Sequence, residues 1–281
     1  MADIQIRERE RRWKQTGSPT DEEAFLDERV RTGNLSRQLL DLVRFLRVRS
    51  DLVPTPTADD PALHPFNVLD RRRRVDGVDL ALNDRHVTQL VKLLLACGQQ
   101  SWIRTGLALA RRGLEVWLRN VDDATEADRF APCRLVRAAR ERLLTGTSTR
   151  FEQEAFATDQ VMERQHYRWG PSEVLAPMSA VQAAQNLGRL ASLTEGSPKE
   201  GPESARVLLG NMINGTCLVL GMRLEVDRGR ETPQLRPVPD LSAGLNTVLH
   251  ALAEELVPWA LGTGDPVAAD QYLAPLQGPR A

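Results

Sequence analysis

The sequence predicts a mostly α fold, an antiparallel helical bundle or an irregular helix stack, with room for one small β-hairpin near 216–238. Three observations carry this expectation. Apolar residues recur at spacings of three and four through most of the chain, caps and glycines bracket those stretches, and the connections between them are mostly short. Short connections make consecutive helices antiparallel neighbours.

Residues 1–49 read as an N-terminal helical segment. Ile6 and Trp13 lie seven apart on a highly charged first helix, which leans on the rest of the chain. Thr20 and Glu23 form a capping box, in which the hydroxyl takes one orphan amide and the carboxylate reaches back for another. Phe25, Leu26 and Val30 continue that helix and Gly33 ends it. Asn34 or Ser36 starts the next, with Leu39, Leu42, Val43 and Leu46 on one face.

Periodicity stops over 50–83. Pro54, Pro56, Pro61 and Pro65 remove amide donors and restrict the residues before them, and Arg71, Arg72, Arg73 and Arg74 follow in a row. A stretch this long without a pattern is a linker or a functional segment, so a domain boundary falls here. The main helical domain then covers 84–281, with an internal loop at 195–202.

Within it, Asn83 or Asp84 caps a helix bearing Val87, Leu90, Val91 and Leu94, closed near Gly98. Ser101 caps a long helix with Ile103, Leu107, Ala110, Leu114 and Trp117. A third starts after Pro132 with Leu135, Val136, Ala139 and Leu143. A fourth runs from about Thr149 to Trp169, where Gly170-Pro171 stops it, and a fifth from Met178 to Leu193. Glu203 to about Asn214 is helical. Thr216–Val226 and Thr232–Val238 are the candidate strands around the turn Asp227–Arg230, and three prolines confine the second strand to an edge. Leu241–Ala260 closes the chain with Leu245, Val248, Leu249, Leu252 and Leu256.

Composition narrows the class. The chain has 281 residues, 41% hydrophobic and 27% charged, which excludes wholesale disorder and fibrous structure. Its 37 basic and 38 acidic residues nearly cancel, so no global charge steers it toward nucleic acid or anionic membrane. Three scattered cysteines point to a reducing compartment. The N-terminus alternates charges where a signal peptide carries an apolar core, and the uncharged run Val207–Met222 is too short to span a bilayer. A cytoplasmic location is expected. Lys14, Lys92 and Lys199 are the only lysines, and this arginine-heavy usage fits a GC-rich bacterial genome.

Common catalytic signatures are absent: no phosphate-binding glycine loop, no H-E-x-x-H, no G-x-S-x-G and no C-x-x-C. Glu163 and His166 share one helical face at i, i+3, as carboxylate metal bundles require, but such sites need the pair twice. A surface pair near a helix end is the preferred reading. Cys133, beside Arg134 and near a helix start, is the best candidate for a reactive thiol, though it has no base partner. Arg104, Arg111, Arg112 and Arg119 make a basic stripe around Glu115, read first as a solvated, internally paired face and second as a contact surface. Arg71–Arg74 cannot all be neutralised locally; a solvated linker is the preferred reading, contact with phosphates or an acidic partner the second, and the aromatic interleaving of single-strand binders is missing around them. Trp13, in an otherwise charged segment, packs on Phe25 across the Gly17 turn or else meets another protein.

Glu10-Arg11-Arg12-Trp13, Gly17-Ser18-Pro19, Asp21 to Leu26, Glu28-Arg29-Val30, Gly33 and Leu35-Ser36 together resemble the opening of uncharacterised helical proteins of high-GC bacteria, some of them repeat-like. The resemblance covers the first ~45 of 281 residues and departs from that pattern at the Pro- and Arg-rich stretch. It implies helical architecture and an interaction role, and it transfers no catalytic residues. The expected function is therefore a non-enzymatic protein–protein interaction module: an adaptor, scaffold or regulatory subunit. The expected partner is another protein or a second copy of the chain, with no cofactor and no membrane. Two alternatives stand beside it: a nucleic-acid-binding accessory protein using Arg71–Arg74, and a metal-dependent or thiol enzyme using Glu163 with His166, or Cys133.

Overall fold

A computed structural model describes residues 2–52, 85–120, 125–166, 175–193, 201–227, 234–239 and 241–276. The helices are α1 (Ala2–Thr16), α2 (Pro19–Arg31), α3 (Arg37–Leu52), α4 (Arg85–Cys97), α5 (Gln99–Asn120), α6 (Glu126–Thr145), α7 (Phe151–His166), α8 (Leu175–Ser192), α9 (Gly201–Leu220) and α10 (Leu241–Ala260). Strands β1 (Met222–Asp227) and β2 (Gln234–Pro239) pair antiparallel between α9 and α10, with Met222 opposite Pro239. The helix stack is as expected, and the hairpin is present in a shorter form. Its first strand begins at Met222 rather than Thr216, because α9 continues to Leu220 with Thr216, Cys217, Leu218 and Val219 buried on it.

The local signals hold with some shifts. Ser36 caps α3, its Oγ accepting the Leu39 amide at 3.1 Å. On α2 the capping box does not form. Pro19 occupies the first turn, where its missing amide costs nothing, and Ser18 takes the cap position without a side-chain bond. Helix α5 starts at Gln99, so Ser101 lies inside it. The Ser101 hydroxyl donates to the carbonyls of Leu94 and Gly98, and Trp102 Nε1 donates to Leu94 at 2.9 Å. Two side chains of α5 thus serve the orphan carbonyls at the end of α4. Helix α6 begins seven residues ahead of Cys133, capped by Thr125 accepting the Asp128 amide, and carries Pro132 within it.

Helix α5 is the axis of the fold. Residues 101–110 are all buried, so this helix is enclosed on every side by α4, α6, α8, α9 and α10. Small residues bring α8 close: a Cβ on Gly113 would stand 3.3 Å from the Ala180 backbone. One apolar cluster runs from Phe25 through Leu40, Leu46, Leu107, Leu114 and Trp117 to Val248, Leu252 and Leu276. Each fully buried leucine in it contributes roughly 1.5–3 kcal/mol relative to exposure. Helix α3 packs on α10 and α4, and the N-terminal helices join this shared core. Of the Pro- and Arg-rich stretch, residues 53–83 lie outside the described residues. Among the described residues no helix is long and apolar enough to cross a membrane.

Candidate functional site

A helix buried on all sides has to neutralise its polar side chains, and the basic row of α5 is where this matters most. Arg104, 5% exposed, donates from Nη1 to Asp265 Oδ1 at 2.5 Å and from Nη2 to Asp265 Oδ2 at 2.9 Å. Its guanidinium also lies 4.8 Å from the Trp259 ring centroid. Arg111 donates to Glu255 Oε1 at 2.7 Å and stacks 4.6 Å from the Tyr272 ring, whose hydroxyl donates to Glu255 Oε2 at 2.6 Å. Arg112 pairs with Glu254 at 3.1 Å.

Two further helices reach the same C-terminal segment. Arg140 of α6 donates to the carbonyls of Val267, Ala268 and Ala269, and Arg29 of α2 donates to Leu261. The expectation of a solvated, internally paired stripe is corrected for Arg104 and Arg111, which fasten residues 255–272 to the core rather than face solvent; Arg112 is partly exposed and reaches both Glu254 of α10 and, at 3.9 Å, Glu115 of its own helix. Burial pushes the Glu255 carboxyl upward, against the opposing pull of Arg111 and the Tyr272 bond. Burial, reinforced by Glu255, holds the Tyr272 phenol well above its ordinary value.

The other candidates resolve as follows. Trp13 is half-buried and stacks on Phe25, ring centroids 5.3 Å apart and planes 18° from parallel, which is the packing across the Gly17 turn. Cys133 sits within α6 rather than at its start, 3% exposed, and burial outweighs Arg137, Arg134 and Arg129 to push its thiol up to about 12. That corrects the reactive-thiol reading, because a nucleophile needs the thiolate. Burial likewise raises Cys97 to about 11. Glu163 is exposed on α7 and accepts a bond from Gln160 at 3.3 Å. The side chain of His166 and all of Arg71–Arg74 lie outside the described residues. Among the described residues no three of His, Cys, Asp and Glu gather in metal-binding reach.

A different surface emerges between α4 and α9, where a groove of about 360 Å³ opens. Val87 and Val91 of α4, 4% and 6% exposed, form its buried side, and Val207 of α9 stands 54% exposed at the other. Gly210 adds no side chain, and nothing lies within 4 Å of where its Cβ would be. Asn214 lines the groove with its Oδ1 buried and without a hydrogen-bond partner among the described residues. Lys92 and Arg206 complete the edges, and among the described residues no acidic side chain lines the groove. Periodicity alone did not expose this site, since Val207 and Asn214 sit in what reads as one apolar run. Its one sequence signal is a glycine mid-helix with no turn to make.

No protein-family model, no curated protein and no solved structure matches this chain.

Proposed function

We propose that this chain is a non-enzymatic protein–protein interaction module, an adaptor, scaffold or regulatory subunit of a bacterial cytoplasm. The observation that carries the reading is the open α4/α9 groove, which is lined by Val207, 54% exposed, and by a buried acceptor that no donor among the described residues reaches. Apolar surface held on rigid helices and mixed with unsatisfied polar groups is what a partner covers. The chemistry of the other candidates is consistent with this reading. Arg104 and Arg111 of α5 are spent on binding residues 255–272, and the Cys133 thiol stays protonated at neutral pH.

Co-purification of the tagged chain from its native cells, with and without nuclease and read by mass spectrometry, tests the proposal. A stoichiometric protein partner that survives nuclease is the expected result. Four consecutive arginines favour one second reading, nucleic-acid binding through Arg71–Arg74. Under it, nucleic acid is recovered and partners are lost on digestion.

A further inference from the structure

We infer that the α4/α9 groove is the docking site for an acidic, amphipathic helix of a partner protein. The inference deepens the interaction-module reading and rests on it. Two helices lying side by side leave a furrow that accepts the apolar stripe of a third, with anchors one turn apart. Val87 and Val91 are spaced one turn apart on α4, and Val207 faces them from α9. Gly210 keeps the furrow open. A glycine inside a helix weakens it relative to alanine, and here neither a turn nor a neighbouring described element needs the missing side chain. A closely approaching partner does.

Asn214 states what the occupant must carry. The residue is 9% exposed, its Oδ1 is buried, and no donor among the described residues reaches it. A buried acceptor without a donor is a standing cost to the fold, removed when a ligand brings an N–H or O–H. A helix spends its own amides internally, so the donor is a side chain: one polar residue interrupting the partner's apolar stripe. Charge sets the rest. No described lining residue is acidic; Lys92 is exposed at one edge, and Arg206 at the other pairs with the exposed Glu203 at 3.1 Å. Carboxylates flanking the partner's stripe meet Lys92, whereas a basic helix is repelled.

The test uses the full chain carrying a benzophenone amino acid at position 207 (Val207→p-benzoylphenylalanine), illuminated in its native cells, with the same group at the exposed Phe156 of α7 as a control. The expected result is one adduct at 207, on a segment with apolar residues three and four apart and net negative charge. Lys92→Glu should cut its yield roughly tenfold while leaving the unfolding midpoint in place. Asn214→Leu should cut the yield without lowering the midpoint, whereas an asparagine kept for internal bonding would lower it. Adducts on a basic segment, on a second copy of the chain or on nucleic acid overturn the proposal. So does no adduct at 207 while the wild-type chain still retains a protein partner. Loss of any partner from the wild-type chain overturns the interaction-module reading itself.

Discussion

Arg104 and Asp265 are 161 residues apart and meet in a two-pronged ion pair, with Arg104 6% and Asp265 30% exposed at their side chains. The pair closes the chain onto its own axis: the arginine belongs to the central helix and the aspartate to the segment that follows α10. Because the guanidinium is buried, its charge has no alternative partner in water. Removal of Asp265 therefore strands it. Asp265→Ala should lower unfolding free energy by roughly 2–3 kcal/mol, less than the ~3–5 kcal/mol of a fully buried pair because the aspartate keeps some solvent. Urea denaturation measures the loss, and the variant should also be cleaved faster after Leu261 by a nonspecific protease.

Glu255 gives the fold a pH signature. Burial raises its folded value above the ordinary 4.5, so the folded state holds this proton more tightly than the unfolded chain does. Its contribution is complete below about 4.5 and declines as pH rises through the raised value. The stability difference between wild type and Glu255→Gln should thus shrink with rising pH across that window and be flat above it. Chemical denaturation at a series of pH values checks this. A difference that grows with pH would reverse the assignment.

Two glycines on one helix pair should respond in opposite directions. A Cβ on Gly244 of α10 would overlap the Cys217 carbonyl oxygen of α9, so Gly244→Ala should force the helices apart and cost about 3 kcal/mol. Gly210 faces open space, so Gly210→Ala should raise stability by about 0.5–1 kcal/mol. Thermal unfolding of both variants provides the comparison. The same alanine at 210 narrows the groove and should weaken partner capture while it stabilises the chain.

The thiols should be inert until the fold opens. With its thiol at about 12, roughly one part in 10⁵ of Cys133 is thiolate at neutral pH, and Cys97 is nearly as suppressed. An aromatic disulfide reagent should modify neither on the timescale of minutes in native buffer. All three cysteines should react once denaturant is added.

Much of the fold was legible because apolar spacing is a local property. Leu241–Ala260 emerges with the bounds expected of it, and the faces of Val87 to Leu94 and Leu107 to Trp117 are buried as the periodicity implies. What periodicity cannot convey is what lies on the opposite face. The row from Arg104 to Arg112 reads as solvated beside Glu115, yet its principal partners are Glu254, Glu255 and Asp265, more than a hundred residues away. Proline punctuation is misleading at one position: proline is tolerated best in a helix's first turn, so Pro132 reads as a helix start, but Thr125 caps α6 two turns earlier and the helix runs through it. The groove escaped for a related reason, since an exposed valine and a buried one look alike until α4 is set against α9.

The proposed function turns on which surface holds the partner. The most direct measurement is partner retention from nuclease-treated extract by three chains: wild type, Val207→Glu, and a variant with Arg71–Arg74 all replaced by alanine. Val207 is more than half exposed, so its replacement leaves the core intact. Wild type and the arginine variant should hold a stoichiometric protein, and Val207→Glu should lose it. Retention by Val207→Glu with loss on the arginine variant, or loss of every partner on nuclease treatment, would contradict the proposed function.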